Sequence, residues 1–460
     1  MKSLRGLLWI IMLLLAGCQS QQVLQEAPRP IGEPTPEIVD SSTDSDTLRV
    51  VSWSEIPPEV FTDTKLRDWG SALQQSAIYY GRIDPNKEFL FGTYKLTAAQ
   101  LRQACRELAE LAASGDSARL EKVLKERYQL YRSVGGNSKG NVLVTGYYEP
   151  LLHGSTTPSK RYFYPIYRRP ADLVDGGAGV GFHRLEKGKR VPYYSRAQID
   201  APFFPHEGGQ RKVQKPEHKV KKAHKTGSKH KPPSKHKPTR TAKAKPKPIV
   251  GVLANRGLEL LWVDNVIDAF FLHIQGSGRV LMSDGRMIRI GYDGSNGLPF
   301  KAIGQILINE KQIPQEEMTM PRLRQWLVDH PREQRRLFFA DASYVFFREL
   351  RGEAVGNINV PLTRDRSIAT DHRLFPRGAP AILGTTLPNM AQDGKTVIGW
   401  RPETRLVVNQ DTGGAIRGAG RVDLFFGFDN LIEYQAGVMK QNKSRLYFIA
   451  PRPGIFQPGG

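Results

Sequence analysis

Residues 409–427 of this 460-residue chain read NQDTGGAIRGAGRVDLFFG and hold two aspartates, Asp411 and Asp423, twelve positions apart. In a strand around Asp423, the apolar residues at positions 422, 424 and 426 would share one face and the aspartate would lie on the other. If the apolar face fills a closed barrel, the carboxyl group points outward. A carboxyl that is partly desolvated beside a second carboxylate favours its protonated form, which a general acid requires near neutral pH. The residues alone leave two alternatives open, a turn formed by Asp411 and an ion pair of Asp423 with Arg421.

The chain around this segment is predicted to be mainly β with some α. Period-two runs punctuated by Gly and Pro extend from Asn141 to about Ile290. An Asp393-Gly394 pair indicates a hairpin turn between two later strands. Irregular short strands with little helix favour a closed barrel. The strands predicted after Val360 are 381–383, 396–400, 406–409, 423–426 and 445–449.

Helices are predicted ahead of and within this β-rich region. Thr97 and Gln100 form a capping box that opens a helix with Cys105 on its buried face. Ser117 is expected to cap the next helix, whose apolar stripe continues to Tyr131. Two short helices are expected at 301–309 and 322–328, the second introduced by Pro321.

The net charge of +22 is concentrated in one segment. Residues 211–247 hold fifteen Lys and Arg against the single acid Glu217, so the remaining chain is only mildly basic. We therefore expect no nucleic-acid-binding fold. Residues 208–248 contain no aromatic and repeat Ser-Lys-His-Lys-Pro, which predicts a disordered basic loop rather than a metal site built from its histidines.

The N-terminus resembles a bacterial lipoprotein signal. A basic start and a short apolar run lead to Leu15-Ala16-Gly17-Cys18, and the run is shorter than the roughly 20 residues that span a bilayer. We expect cleavage of 1–17, lipidation of Cys18, and a disordered tether over 18–47. Gln19 after the cysteine favours the outer membrane facing the periplasm. The alternative is an ordinary secretory signal with a chance cysteine.

Several ordered motifs resemble the membrane-bound lytic murein transglycosylase A family. The two aspartate segments, with Asp371 in 368–376, look like its three-aspartate domain. The other motifs, which occur in the family's order, are Gly146-Tyr147-Tyr148-Glu149-Pro150, His273-Ile274-Gln275-Gly276-Ser277-Gly278, Asn296-Gly297-Leu298-Pro299-Phe300 and Ser343-Tyr344-Val345-Phe346-Phe347. The resemblance covers roughly 48–452 apart from the basic segment, which is extra, and Asp341-Ala342 also departs from the pattern.

This resemblance implies a double-psi β-barrel domain with a second, smaller inserted β-barrel domain. The barrel domain would comprise 48–149, with the helices, and 344–460. The insert would be 150–343, and a groove between the two domains would bind a glycan strand of peptidoglycan. No cofactor or metal is implied. Anionic envelope polymers are a candidate partner for 208–248, and no specific nucleic acid is expected.

The implied activity is cleavage of the β-1,4 bond between N-acetylmuramic acid and N-acetylglucosamine without water, leaving a 1,6-anhydromuramic acid end. Asp423 would be the catalytic acid and base, and Asp411 would be a second catalytic residue that acts electrostatically. A hydrolase of the same bond and a non-catalytic peptidoglycan-binding lipoprotein are the alternatives. The residues expected to bind substrate are Asp371, Tyr147, Tyr148, Gln275, Ser277, Tyr344, Gly413 and Gly414, although the tyrosines fit a core role equally and Asp371 could order a turn.

Overall fold

The computed structural model describes residues 47–136, 139–176, 181–204, 251–254 and 256–457. The signal segment, Cys18, the tether up to residue 46 and the whole basic segment 208–248 lie outside the described residues. The expectations for those parts therefore stay predictions.

Nine α-helices lie within the described residues. The capping box at Thr97 is confirmed, because its hydroxyl accepts from Gln100 N and the Gln100 side chain accepts from Thr97 N. The helices are α1 (Leu66–Arg82), α2 (Ala98–Ser114), α3 (Ser117–Arg127), α4 (Arg196–Asp200), α5 (Val266–Gln275), α6 (Ile303–Asn309), α7 (Met320–Asp329), α8 (Gln334–Ala340) and α9 (Ile432–Gly437).

Nineteen strands lie within the described residues. The first ten are β1 (Leu48–Val51), β2 (Glu88–Phe91), β3 (Tyr94–Thr97), β4 (Tyr128–Ser133), β5 (Val142–Tyr147), β6 (Leu151–Ser155), β7 (Tyr164–Tyr167), β8 (Val174–Asp175), β9 (Phe182–Glu186) and β10 (Lys189–Pro192). The others are β11 (Glu259–Val263), β12 (Ser277–Met282), β13 (Met287–Ser295), β14 (Val345–Leu350), β15 (Ser367–Ala369), β16 (Pro380–Met390), β17 (Val397–Asp411), β18 (Arg421–Phe425) and β19 (Lys440–Pro451).

Six strands close into a barrel. Strands β19, β16, β17, β15, β18 and β5 are neighbours in that order, and β5 pairs again with β19 to complete the ring. The apolar side chains of Val422, Leu424 and Phe426 are all buried inside it, as the alternating pattern predicts. Strands β4 and β1 extend the sheet outward from β19, and helices α1 and α2 pack together beside it. The mainly β fold with a closed barrel is confirmed.

A second six-stranded sheet is built from the chain between the two barrel segments. Its order is β14-β13-β12-β6-β11-β7, and the edge residues Tyr167 and Phe346 meet in one buried cluster, so the sheet curls upon itself. Strand β14 pairs with β13 as far as Leu350. The sheet thus continues past the expected limit at residue 343, and we propose that the inserted unit extends to Leu350.

Two local predictions about helices are wrong. Asp116, not Ser117, caps α3, because the Asp116 carboxylate accepts from Arg119 N. The stripe that seemed to continue α3 passes into β4 at Tyr128. The β-rich stretch up to Ile290 holds β5 to β13 as well as α4 and α5.

Candidate active site

The two aspartates lie in one row, on strands β17 and β18 that flank β15. Ala369 of β15 pairs with Asp411 on one side and with Asp423 on the other, so both carboxyl groups share a row with one small residue between them. Thr145 of β5 continues this row as the partner of Asp423. With strands about 4.8 Å apart, the two aspartate Cα atoms are roughly 10 Å apart. The barrel thus brings together two carboxylates that the sequence only places near each other.

Asp423 accepts hydrogen bonds on one of its two oxygens. Thr145 Oγ1 donates to Oδ1 at 2.5 Å, and Arg421 Nη2 lies 3.2 Å from the same oxygen. Arg421 Nη2 also donates to Thr145 Oγ1 at 3.2 Å. No hydrogen bond reaches Oδ2 from any residue that the structure describes, and the side chain is 18% exposed. Asp423 therefore presents one oxygen to an incoming ligand while the other is held.

Asp411 is engaged on both oxygens. Oδ1 accepts from Asn357 N at 3.0 Å and from Thr412 N at 2.9 Å, and Oδ2 accepts from Tyr147 OH at 2.9 Å. Burial raises the pKa of Asp411 to about 6, with a further contribution from the charge of Asp423, while the three hydrogen bonds oppose the rise. Asp411 is thus fixed in place and titrates just below neutrality.

Two neighbours make the environment of Asp411 possible. A Cβ on Gly356 would lie 2.4 Å from Gln410 O, so only glycine lets this loop approach closely enough for Asn357 N to reach the carboxylate. The Tyr147 ring packs on Phe425 with centroids 5.1 Å apart, which holds its hydroxyl toward Asp411. Burial and the charge of Asp411 raise the pKa of Tyr147 well above its ordinary value, so the hydroxyl stays a donor.

Asp371 is buried, and both of its carboxylate oxygens accept hydrogen bonds from other parts of the protein. Arg373 binds it with Nε at 2.9 Å and Nη2 at 2.7 Å, and Gly418 N donates to Oδ2 at 2.8 Å. Burial favours the protonated form, but these hydrogen bonds outweigh it and lower the pKa of Asp371 to about 2. The contact with Gly418 ties this carboxylate to the loop 412–420 that joins the two catalytic candidates.

Gly413 and Gly414 lie in that same loop. Gly413 O accepts from Ile416 N at 3.0 Å, which forms a tight turn, and a Cβ on Gly414 would meet nothing within 4 Å. Farther along, a Cβ on Gly420 would lie 2.5 Å from Gly136 N, so the loop packs directly on another backbone. The turn thus leaves open space at Gly414, three positions after Asp411.

Three other candidates lie where the barrel meets the inserted sheet. Tyr148 is buried, and its N–H donates to Gln275 Oε1 at 3.1 Å. Gln275 is the last residue of α5 and Ser277 is the first of β12, with left-handed Gly276 (φ 80°) ending the helix between them. These residues therefore form a junction between two elements rather than the exposed loop that the glycines suggest. Both Gln275 and Ser277 are partly exposed there.

Tyr344 lies away from the carboxylates, inside the inserted sheet. Its side chain is fully buried against the rings of His273 and Phe346, with centroids 4.4 and 5.5 Å away. Arg196, also buried, stacks over the Tyr344 ring at 5.2 Å. This position corresponds to a core aromatic and not to a sugar platform.

Four other carboxylates, in or near the family motifs, are all ion-paired. Glu149 is buried, its Oε2 lies 3.1 Å from Arg279 Nη2, and burial raises its pKa. Asp264, Asp268 and Asp293 pair with Arg161, Arg324 and Arg348 respectively.

Thr145 and Asn357 are the site residues that the sequence does not reveal. Thr145 is 278 positions from Asp423 along the chain, and Asn357 contributes only its backbone N–H. The Thr145 hydroxyl has one sequence signal, because it stands two residues before the Tyr147-Tyr148-Glu149 motif on the same strand face as Tyr147.

Across the described ranges, no group of three or more His, Cys, Asp or Glu could hold a metal ion. In the same part of the chain, no helix combines the length and the apolarity needed to cross a bilayer.

Comparison with known families assigns both parts of the fold. A family model described as the MltA specific insert domain matches residues 143–215 and 205–348, and a 3D domain model matches 366–449. Together they match more than half of the chain. The barrel with its aspartate row and the inserted sheet therefore define a protein that combines these two domains.

Comparison with individual relatives gives a more specific family assignment than the two domain models do. Membrane-bound lytic murein transglycosylase A of Escherichia coli K12 is 26% identical over 347 residues, which covers 75% of this chain and 74% of the relative. The crystal structure of a membrane-bound lytic murein transglycosylase from Agrobacterium tumefaciens has 26% identity and a TM-score of 0.64, and the match covers 88% of this chain and 98% of that one. E. coli MltA with bound chitohexaose shares the fold at 22% identity and a TM-score of 0.59, covering 88% and 95%. The chain belongs to the membrane-bound lytic murein transglycosylase A family, as its motifs indicate.

Proposed function

We propose that this protein is a lytic transglycosylase that cleaves the β-1,4 bond between N-acetylmuramic acid and N-acetylglucosamine in peptidoglycan. One observation carries the assignment of roles. Asp423 has an oxygen available to a ligand, whereas both oxygens of its neighbour Asp411 are occupied. A proton carrier needs a free oxygen within hydrogen-bond reach of the reacting atoms, so Asp423 is the acid and base.

The reaction uses Asp423 twice. Protonated Asp423 gives its proton to the glycosidic oxygen as the bond from C1 of the muramic residue breaks, which releases the leaving sugar as an alcohol. The resulting carboxylate takes the proton from the C6 hydroxyl, whose oxygen bonds to C1 and closes the 1,6-anhydro ring. Water is not consumed, and Asp423 ends protonated as it began. Positioning the C6 hydroxyl within the same sugar makes attack intramolecular, which contributes up to about 7–11 kcal/mol in well-oriented cases.

Asp411 acts through its charge. When ionised, it stabilises the positive charge that develops at C1. Tyr147, Asn357 and Thr412 hold this carboxylate in one orientation, so little reorganisation accompanies the reaction.

Substrate contacts come from the partly exposed members of the predicted set. Gly413 and Gly414 let a sugar approach the backbone beside Asp411, and Gln275 and Ser277 offer polar groups at the junction with the inserted unit. Tyr147 positions Asp411, and Asp371 orders the loop 412–420 through Gly418. Tyr148 and Tyr344 support the groove from within the core. The chitohexaose bound to the E. coli relative supports a glycan strand as the ligand.

The protein is proposed to act at the envelope. Its curated relatives are named membrane-bound, and the motif ending at Cys18 supports a lipid anchor in the outer membrane that faces the periplasm.

The product distinguishes this function from its alternatives. Purified peptidoglycan is digested with the protein and the fragments are analysed by mass spectrometry. We expect muramic ends lighter by one water and without a reducing group. Reducing ends would identify a hydrolase, and no released fragment would identify a binding protein without activity.

A further inference from the structure

The chain crosses between the barrel and the inserted sheet twice. Residues 148–150, the outgoing crossover, lead from β5 to β6, and residues 351–356, the return crossover, lead from β14 back to the barrel. Tyr147 immediately precedes the outgoing crossover and Asn357 immediately follows the return crossover, and both donate hydrogen bonds to Asp411. The two units are therefore joined by segments that end at the candidate active site.

One arginine of the inserted sheet contacts both crossovers. Arg279 of β12 donates from Nε and Nη2 to Glu149 Oε2 on the outgoing crossover, at 3.2 and 3.1 Å. Arg279 Nη2 also lies 3.6 Å from Glu353 Oε2 on the return crossover. The Arg279 N–H donates to Pro150 O at 2.9 Å. This side chain and its backbone therefore hold the two crossovers together.

The same guanidinium group contacts the segment that follows Asp423. Arg279 Cζ lies 4.0 Å from the centroid of the Phe428 ring, five positions after Asp423. Next to this ring, Gly427 O accepts from Glu149 N at 2.9 Å. Arg279 thus links the inserted sheet to three segments of chain, each of which continues directly to a residue that forms or holds the aspartate pair.

The contact with Glu149 is the buried part of this junction. The Glu149 side chain is 1% exposed, and its Oε1 has no hydrogen-bond partner among the residues that the structure describes. A buried carboxylate destabilises a protein unless an opposite charge compensates it, and Arg279 supplies that charge. Glu353 lies at the rim instead, 55% exposed, and pairs also with Arg289 Nη2 at 2.9 Å.

We propose that Arg279 is a positioning residue that fixes the inserted unit relative to the aspartate row. It acts through Glu149 and Phe428 and does not itself touch the substrate. Gln275 and Ser277 precede it closely on the same unit, so a glycan strand bound there would meet the row in a fixed register. The inference rests on the proposed function. A misplacement of about 1 Å can lower the rate of an enzyme about 10²-fold.

The decisive variant is the double substitution Arg279→Met, Glu149→Gln. Arg279→Met alone leaves the charge of Glu149 buried and unpaired, which destabilises the fold for an unrelated reason. The double variant removes both charges and keeps side chains of similar length. Arg289→Met is the matched control, because Arg289 is the cross-strand partner of Arg279 and pairs only with the exposed Glu353.

The first measurement is the distance between the two units, obtained from spin labels by pulsed electron paramagnetic resonance. The labels are attached at Val50→Cys on β1 and Leu185→Cys on β9, which are 64% and 59% exposed. Cys18 is replaced by Ser in the full chain, and Cys105 is buried and stays unlabelled. We expect one narrow distance distribution in the wild type and in the Arg289 control, and a broader or shifted one in the double variant. The same narrow distribution in the double variant would overturn the proposal.

The second measurement is kcat/KM on soluble glycan strands, at a temperature where thermal unfolding curves show every variant to be folded. The double variant should lose between about 10-fold and 10²-fold, and Arg289→Met should match the wild type. A purely structural role would change the melting temperature and leave kcat/KM of the folded protein as it is, so wild-type kcat/KM would overturn the proposal. If the wild type shows no lytic activity while the label distances still differ, the proposed function fails and the positioning of the inserted unit by Arg279 stands.

Discussion

Replacing Tyr147 by Phe isolates the electrostatic role of Asp411. The change removes the 2.9 Å hydrogen bond from the tyrosine hydroxyl and keeps the ring that packs on Phe425. A hydrogen bond to a charged group contributes about 1.5–3 kcal/mol, and one pKa unit corresponds to about 1.4 kcal/mol. Losing the donor disfavours the carboxylate, so the pKa of Asp411 should rise from about 6 to about 7–8.

The assay is kcat/KM on soluble glycan strands between pH 5 and pH 9. Because Asp411 must be ionised to stabilise positive charge at C1, activity is lost as the pH falls through its pKa. At pH 7 the ionised fraction should drop from about 0.9 to between about 0.1 and 0.5, a two- to ten-fold loss that recovers by about pH 9. Tyr131→Phe, another buried tyrosine of the same domain, is the control and should leave the profile unchanged. An acid limb that stays in place in Tyr147→Phe, or a loss equal at every pH, would refute this role.

Three further predictions follow from the same contacts. Asp411→Asn should stabilise the fold by about 1–3 kcal/mol at pH 8 in denaturant titrations, and by much less at pH 4. The pKa of this carboxyl is raised, so its ionisation opposes folding as the pH rises through about 6. Equal stability of the variant and the wild type at pH 8 would contradict this. Asp371→Asn should destabilise the fold by about 1–3 kcal/mol at pH 7, because the lowered pKa of Asp371 means that its carboxylate stabilises the fold above pH 4 and loses this effect toward pH 2. The rate of amide exchange at Gly418 should also rise. An unchanged exchange rate would count against the proposed role of Asp371 in holding the loop 412–420. Gly356→Ala should reduce kcat at least tenfold without unfolding the protein. The added Cβ would collide with Gln410 O and displace the loop that supplies a hydrogen-bond donor to Asp411. A kcat equal to that of the wild type would show that glycine is not required at this position.

Sequence patterns that involve only neighbouring residues predicted some of the elements correctly. The capping box at Thr97 and the alternation around Asp423 each depend on residues two or three positions apart, and both are confirmed. Helix α5 is an element that such local patterns did not predict. Its sequence VIDAFFLHIQ is apolar on nearly every side because the helix is buried, so no helical period distinguishes it from a buried strand.

The site depended on pairings that no local pattern contains. The aspartate spacing indicated a catalytic pair, but Ala369 between the two carboxylates and Thr145 beside Asp423 come from two other strands, β15 and β5. The sequence also did not show which of the motif residues are exposed in the folded protein. Tyr344 and Gln275 both belong to motifs shared with the family, yet one is fully buried and the other ends a helix at a junction.

The turnover of Asp423→Asn on peptidoglycan, measured together with its affinity for glycan strands, tests most directly whether Asp423 is the acid and base. Asparagine keeps the shape and can still accept from Thr145, but it has no proton to give to the glycosidic oxygen. We expect unchanged strand binding and a loss of turnover of about 10²-fold or more. Turnover near that of the wild type would contradict it, because the proton would then have to come from another group.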